Sequence, residues 1–145
     1  MSSLPSRCRL TDGQPVITEE PRTVNILVVD DSPTMRRMVM ASLRPLGAVA
    51  FSEAGSGLEA IERLALDEVD LIILDLNMPD MHGVEVLEFV RGHQAYRGLP
   101  VIVLTTREDE ASRAGALAAG ATRYLTKPFA PQGLHGCVRE LMDAG

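Results

Sequence analysis

The sequence predicts an α/β protein with a parallel sheet, and two observations support this fold class. Several short apolar runs, rich in Val, Ile and Leu, each end at a polar or reactive side chain. Such runs are typical of strands that are buried on both faces of a parallel sheet. Segments with helical spacing separate the runs. Strands and helices therefore alternate, which indicates βαβ units with right-handed crossovers.

Five strands are expected, with helices between and after them. The predicted strands are residues 25–29, 48–52, 70–74, 101–104 and 123–126. The second to fifth helices are expected at residues 57–66, 84–91, 109–119 and 131–142. The second helix opens with a capping box, Ser56 to Glu59, whose side chains satisfy free N–H groups of the first turn.

The first helix has signals at both ends. Ser32 is a good N-cap and Pro33 suits the first helical position. Gly47 ends the segment. Helical spacing between these points predicts a buried face that includes Met38 and an opposite, solvent-facing side that includes Arg36.

The chain divides into two parts. Residues 1–23 mix three prolines with polar residues and show no apolar periodicity. They are predicted to be a flexible N-terminal extension, and their role is left open. Residues 24–145 are predicted to form one domain, since this length can bury a sizeable core.

Composition excludes several function classes. The net charge is −6, no Lys/Arg run is present and only 3% of residues are aromatic, which argues against nucleic acid as a partner. No apolar run is long enough to span a bilayer, so we expect a cytoplasmic protein without membrane insertion. Cys8 and Cys137 lack metal-site spacing and are expected to be reduced thiols.

Reactive side chains stand where four of the predicted strands end. They are Asp30 and Asp31 after the first strand, Asp75 after the third, Thr105 after the fourth and Lys127 after the fifth. In open α/β sheets the ligand site lies outside the carboxyl ends of the strands. These side chains are therefore expected to converge on one small site.

The convergent groups fit phosphoryl chemistry with a divalent cation. Three carboxylates close together repel one another unless a cation joins them, and Mg²⁺ prefers such oxygen ligands. Asp75 stands alone at its strand end, so it is predicted to be the nucleophile that would form an acyl phosphate. Lys127 and Thr105 would offer a positive charge and a hydroxyl donor to phosphoryl oxygens.

Order and spacing add a family resemblance. The motifs that carry it are Asp30-Asp31, Asp75-Leu76-Asn77-Met78-Pro79, Thr105, Tyr124 and Lys127-Pro128-Phe129. Over about residues 25–142 the chain resembles the receiver domain of two-component response regulators. The resemblance implies a single doubly wound (βα)5 flavodoxin-like sandwich with strand order 2-1-3-4-5. It also implies that a histidine kinase phosphorylates Asp75.

The resemblance assigns further roles. Mg²⁺ would be held by Asp31, Asp75 and the main-chain carbonyl of Asn77, with Asp30 acting mostly through water. The peptide bond between Lys127 and Pro128 would be cis.

A switch is implied as well. Thr105 and Tyr124 would link phosphorylation to the face formed by the fourth helix, the fifth strand and the fifth helix.

The subfamily that the chain most resembles is the chemotaxis type that binds the flagellar motor. The run from Asp31 to Val39 resembles the opening helix of that type, and Asn77 and Tyr124 match its pattern. The implied partners are a histidine kinase and a flagellar motor switch protein, with a phosphatase as a further candidate. Thr106 is bulkier than the usual residue, and Arg107 stands where an acid is common, so the phosphoryl lifetime stays open.

Three alternatives remain. A stand-alone relay receiver or phosphate sink would pass its phosphoryl group to a phosphotransfer protein. An aspartate-nucleophile phosphatase of the haloacid dehalogenase type would be a true enzyme, but it carries a second Asp where this chain has Asn77. A flavodoxin-like carrier is disfavoured because Asp30 and Asp31 would repel a flavin phosphate. We therefore expect chemistry only on the chain's own Asp75, not turnover of a substrate.

Overall fold

The computed structural model describes residues 8–11, 14–17, 23–78, 83–106 and 110–144. Its centre is a five-stranded parallel sheet, whose strands we number β1 to β5 in chain order. They are β1 Val24–Val29, β2 Val49–Ala54, β3 Leu71–Asp75, β4 Val101–Thr105 and β5 Arg123–Thr126. The order across the sheet is β2-β1-β3-β4-β5, which confirms the predicted fold class and topology.

Five α-helices accompany the sheet. They are α1 Pro33–Leu43, α2 Gly57–Leu66, α3 Gly83–Gly92, α4 Glu110–Ala118 and α5 Pro131–Ala144. The bounds of helices and strands differ from the predicted ones by only a few residues. In the described ranges no helix has the length and hydropathy that a membrane crossing requires.

The helix starts obey the capping signals in the sequence. The Ser32 hydroxyl accepts from the Met35 N–H at 3.2 Å, and Pro33 occupies the first turn of α1. The Ser56 hydroxyl accepts from the Glu59 N–H at 3.1 Å at the start of α2. The Glu59 carboxylate reaches one residue further back than a standard capping box and accepts from the Gly55 N–H at 2.7 Å.

Two apolar clusters hold the layers together, one on each face of the sheet. Successive strand residues point to opposite faces, so each strand supplies both clusters. The α1 and α5 side contains the strand residues Ile26, Val28, Leu71, Ile73, Ile102 and Leu104. The side of α2, α3 and α4 contains Leu27, Val29, Ile72, Leu74, Val101 and Val103. Burial on both faces explains the continuous apolar runs in the sequence.

Two short strands lie within the predicted N-terminal extension, whose flexibility remains a prediction. Cys8–Thr11 and Gln14–Ile17 form an antiparallel pair of strands where no regular structure was expected. The pairing of Thr11 with Gln14 leaves a two-residue connection, Asp12-Gly13. Asp-Gly is a strong sequence signal for a two-residue hairpin. The prediction did not use this signal because it gave more weight to the three prolines.

Arg91 joins the end of α3 to the loops that precede β4 and β5. Its guanidinium donates to the carbonyl oxygens of Gly120 at 2.9 Å, Arg97 at 3.0 Å and Leu99 at 2.7 Å, and to the Thr122 hydroxyl at 3.3 Å. Burial lowers the pKa of Arg91. Gly120 has φ +114°, and a Cβ there would lie 2.6 Å from the Arg91 Cγ. One side chain therefore fixes the geometry of the turn that follows α4.

We predict that Arg91→Ala lowers the free energy of unfolding by about 1–3 kcal/mol, because it leaves carbonyl oxygens of these loops without their donor. Urea unfolding measures the loss. Arg113→Ala, an exposed arginine on α4, is the control and should change stability by less than about 0.5 kcal/mol. Equal stability of the two variants would contradict the role given to Arg91.

Candidate functional site

The topology brings the predicted reactive residues to one edge of the sheet. Asp30 directly follows β1, Asp75 ends β3, Thr105 ends β4 and Lys127 directly follows β5. These strands are parallel neighbours in the order β1-β3-β4-β5, so their carboxyl ends lie side by side. The convergence expected from the sequence is therefore present.

Three carboxylates form the centre of the site. Oxygen atoms of Asp30, Asp31 and Asp75 all lie within 4.8 Å of one another. Asp30 and Asp75 are each only 3% exposed, whereas Asp31 is exposed. The group thus has two buried acids and one acid at the solvent side. Buried carboxylates this close need positive charge nearby.

Lys127 supplies part of that charge. Its Nζ lies 2.9 Å from the Asp30 Oδ2 and 3.3 Å from the Asp75 Oδ1. Burial alone would lower the pKa of Lys127, but hydrogen bonds and charges from the two carboxylates outweigh that effect and raise it. Lys127 is therefore protonated at neutral pH. In the part of the site that the structure describes, one ammonium faces three carboxylates, which leaves an excess of negative charge there.

The pKa of Asp75 is shifted from its ordinary value. Burial raises the pKa of Asp75 above its ordinary value of 3.8, and the nearby charge of Asp30 adds to this. The Asn77 N–H, which donates to the Asp75 Oδ1 at 3.2 Å, and the Lys127 ammonium act in the opposite direction without cancelling the rise. Ionised Asp75 is therefore held at a cost in the absence of a cation.

Thr105 and Asn77 form the opposite wall. Thr105 is fully buried, and its Oγ1 accepts from the Asn77 Nδ2 at 3.3 Å. The Lys127 N–H donates to the Thr105 carbonyl oxygen at 2.7 Å. The Lys127–Pro128 peptide bond is cis. These contacts place the hydroxyl of Thr105 and the ammonium of Lys127 on neighbouring strand ends beside Asp75.

The remaining predicted residues have different positions. Tyr124 lies on β5, is half-buried and packs against the cluster on the α2, α3 and α4 side. Thr106, directly after β4, is exposed. Arg107, which bears on the phosphoryl lifetime, lies outside the described residues.

Two residues that support the site were not assigned this role from the sequence. Gly83, the first residue of α3, packs so closely that a Cβ there would lie 2.6 Å from the Asp75 carbonyl oxygen. Its N–H donates to the Leu76 carbonyl oxygen at 3.0 Å. Arg36 donates to the Asp30 carbonyl oxygen. Neither contact has a sequence signal, because each depends on how the start of a helix approaches the preceding strand end.

The donor set fits a hard divalent cation. Carboxylate oxygens from Asp30, Asp31 and Asp75, together with a nearby main-chain carbonyl and water, are the ligands that Mg²⁺ takes in proteins. Among the described residues, the group consists of carboxylates alone, which suit a hard cation better than a softer metal.

The family model of the response regulator receiver domain matches residues 26–139. The chain belongs to the response regulator receiver domain family. Its curated relatives include the chemotaxis protein CheY homolog of Campylobacter jejuni, which is 40% identical over 123 residues and covers 84% of this chain and 95% of that protein. Chemotaxis protein CheY1 of Helicobacter pylori is 41% identical over 110 residues, covering 75% of this chain and 89% of that protein.

Solved structures of receivers show the same fold. CheY4 of Vibrio cholerae, crystallised at low pH, superposes with a TM-score of 0.76 at 34% identity, covering 82% of this chain and 98% of that chain. A putative response regulator from Chloroflexus aurantiacus gives a TM-score of 0.79 at 32% identity, covering 84% and 99%. The family model spans residues 26–139, so the described site lies inside the family domain.

We predict that, without divalent cations, Asp75→Asn makes the receiver more stable at pH 7. A raised pKa means that the folded state binds the Asp75 proton more tightly than the unfolded chain does. Wild-type stability therefore falls as pH rises from the ordinary value of 3.8 through the raised folded value. Urea unfolding in the presence of a chelator should give Asp75→Asn a higher free energy of unfolding than wild type, and this difference should become smaller toward pH 4. Asp143→Asn, on the exposed side of α5, is the control. If Asp75→Asn is less stable than wild type at pH 7, the raised pKa does not destabilise the folded site as predicted.

Proposed function

We propose that this receiver is a phospho-accepting response regulator in which Asp75 takes a phosphoryl group from a histidine kinase. The observation that carries the proposal is the buried Asp75 carboxylate, set between the Asp30–Asp31 pair and the Lys127 ammonium at the ligand edge of the sheet. A nucleophile flanked by cation ligands and a fixed positive charge is the arrangement that phosphoryl transfer needs.

The proposed reaction is balanced on the residues of the site. A carboxylate oxygen of Asp75 attacks the phosphorus of a phosphohistidine, and a new P–O bond forms. The P–N bond breaks, and its electron pair returns to the imidazole nitrogen of the kinase. The product on this chain is an acyl phosphate at Asp75. Lys127 and the Thr105 hydroxyl are positioned to contact the phosphoryl oxygens.

A Mg²⁺ ion fits the proposal. Asp31, Asp75 and the Asn77 main-chain carbonyl would hold it, with Asp30 acting mostly through water. When bound, the ion offsets the repulsion among the carboxylates and the negative charge of the phosphoryl oxygens. Lys127 is already placed to balance part of this charge, so the site is prepared for an anion beside Asp75.

We further propose that phosphorylation controls a partner through the surface of α4, β5 and α5. Tyr124 lies on β5, and Thr105 lies on the neighbouring strand β4, so a movement of Thr105 toward the phosphoryl group frees space next to β5. The relatives are named chemotaxis proteins, which favours a flagellar motor switch protein as the partner in chemotaxis. A relay role toward a phosphotransfer protein is the alternative outcome.

Family membership weakens the phosphatase alternative. Asn77 stands two positions after the nucleophile, where that class carries its second acid, and its amide donates to Thr105 instead. We therefore propose that the chain acts on no substrate other than its own Asp75. A cytoplasmic location remains a prediction of the sequence.

We predict that Asp75 alone becomes phosphorylated, and only with Mg²⁺. Incubation with acetyl phosphate and Mg²⁺ should add one phosphoryl mass to wild type, detected by intact-protein mass spectrometry. Asp75→Asn should gain none, and excess chelator should abolish the wild-type shift, because the acids then repel the incoming anion. Asp143→Asn is the matched control and should be modified normally. Modification of Asp75→Asn, or an unchanged rate in chelator, would contradict the proposal.

We predict that Thr105→Ala and Tyr124→Ala reduce the gain in partner affinity on phosphorylation. Couplings of this kind are typically about 1–3 kcal/mol, or roughly 5–150-fold in affinity. Calorimetric titration of a purified motor switch subunit into free and phosphorylated protein measures the gain. Thr34→Ala, an exposed threonine on α1, should keep it. If Thr105→Ala and Tyr124→Ala both keep the full gain, the coupling route through these residues is wrong.

A further inference from the structure

Arg36 occupies an unusual place for a residue that the helical pattern assigned to the solvent side. It lies in α1, and its side chain is only 16% exposed. Its Nε donates to the Glu53 Oε1 at 2.8 Å, and its Nη1 donates to the Asp30 carbonyl oxygen at 2.5 Å. The guanidinium therefore connects the end of β2 with the turn that follows β1.

The Asp30 carbonyl matters because it belongs to the peptide unit that leads into Asp31. A peptide unit is planar, so fixing its carbonyl also fixes the direction of the Asp31 N–H and of the chain beyond it. The same turn is held at two other points. The Asp30 N–H donates to the Ala54 carbonyl oxygen at 3.0 Å, and the Ser32 N–H donates to the Asp30 Oδ1 at 2.9 Å.

Asp31 depends on this backbone more than the other two acids do. Lys127 fixes the carboxylates of Asp30 and Asp75 directly. The exposed Asp31 carboxylate makes no hydrogen bond or ion pair within the described ranges. Its place among the three acids is therefore set by the backbone that Arg36 holds.

We propose that Arg36 is a positioning residue for Mg²⁺ binding, which it supports by fixing the Asp30–Asp31 peptide unit while Glu53 fixes the guanidinium. This inference rests on the proposed function, in which Asp31 is a metal ligand. Glu53, on the exposed side of β2, is the anchor of the arrangement, because an ion pair with a planar guanidinium also sets its orientation.

The alternative, a purely through-space effect of the Arg36 charge, predicts the opposite sign. A cation beside a divalent metal site repels the metal, so removal of the cation should strengthen Mg²⁺ binding. The positioning role predicts weaker binding when Arg36 is lost. Residues that orient metal ligands typically change metal affinity about 10–100-fold when they are replaced, so the two effects are separable.

The test measures Mg²⁺ affinity directly, without any phosphorylation reaction. The chain contains no Trp, so binding is followed by the two-dimensional amide NMR spectrum of metal-stripped protein during titration with Mg²⁺. We expect Arg36→Gln to bind Mg²⁺ about tenfold more weakly than wild type, with a shifted Asp31 amide signal before metal is added. Arg37→Gln is the matched control, since Arg37 is the exposed next residue and loses the same charge. Its affinity should be unchanged or slightly higher.

Other results separate the inference from the proposed function. If Arg36→Gln binds Mg²⁺ as tightly as Arg37→Gln, the positioning role is overturned while the metal site stands. If wild type does not bind Mg²⁺, or Asp31→Asn binds it equally well, the proposed metal site itself fails. If Arg36→Gln does not fold, Glu53→Gln on β2 becomes the test variant. Glu62→Gln, on the exposed side of α2, becomes its control because it removes the same charge. Weaker binding of Glu53→Gln than of Glu62→Gln supports the inference, and equal binding overturns it.

Discussion

The interaction on which the site depends is the contact of one buried ammonium with two buried carboxylates. Lys127 reaches both Asp30 and Asp75, and these groups come from three different strand ends. The contact can form only because β5, β3 and β1 are parallel members of one sheet. It also leaves the site short of positive charge, since Asp31 adds a third carboxylate. This excess of negative charge favours the binding of a cation.

The core explains why the site can keep such an unfavourable set of charges. The strands that end at or just before Asp30, Asp75 and Thr105 are buried on both faces, and each face is covered by helices. Close-packed layers of this kind deform little. The strand ends therefore cannot move apart to relieve repulsion between the acids. Burial, with a smaller effect of the Asp30 charge, raises the pKa of Asp75, and the Lys127 ammonium offsets part of the repulsion.

Much of the fold and of the acidic centre could be predicted from the sequence, because both follow local rules. Apolar runs mark the buried strands, and the residues at their ends must meet at one edge of the sheet. Side-chain direction inside α1 was harder to predict. Met38 was expected on the buried face but is 50% exposed, whereas Met40 is 7% exposed. The angle at which a helix packs on a twisted sheet decides which of its faces is buried. The spacing of apolar residues alone does not define that angle.

The support of the site could not be predicted from the sequence, for a related reason. Arg36, in α1, contacts the Asp30 carbonyl after β1 and the Glu53 carboxylate of β2, and Gly83, at the start of α3, packs on the backbone of Asp75 at the end of β3. Such contacts depend on how elements approach one another, and no short sequence pattern records them. The acids of the candidate site can thus be recognised in the sequence, while the residues that contact the backbone around them become visible only in the structure.

Thermal unfolding of metal-stripped protein as a function of Mg²⁺ concentration, at constant ionic strength, is the most direct test of the cation site. A cation that binds only the folded site stabilises it by an amount that grows with the logarithm of its concentration above Kd. We expect the Tm of wild type to rise steadily with Mg²⁺ and the Tm of Asp31→Asn to rise much less. An unchanged wild-type Tm across the titration would contradict the claim that the strand-end acids form a cation site.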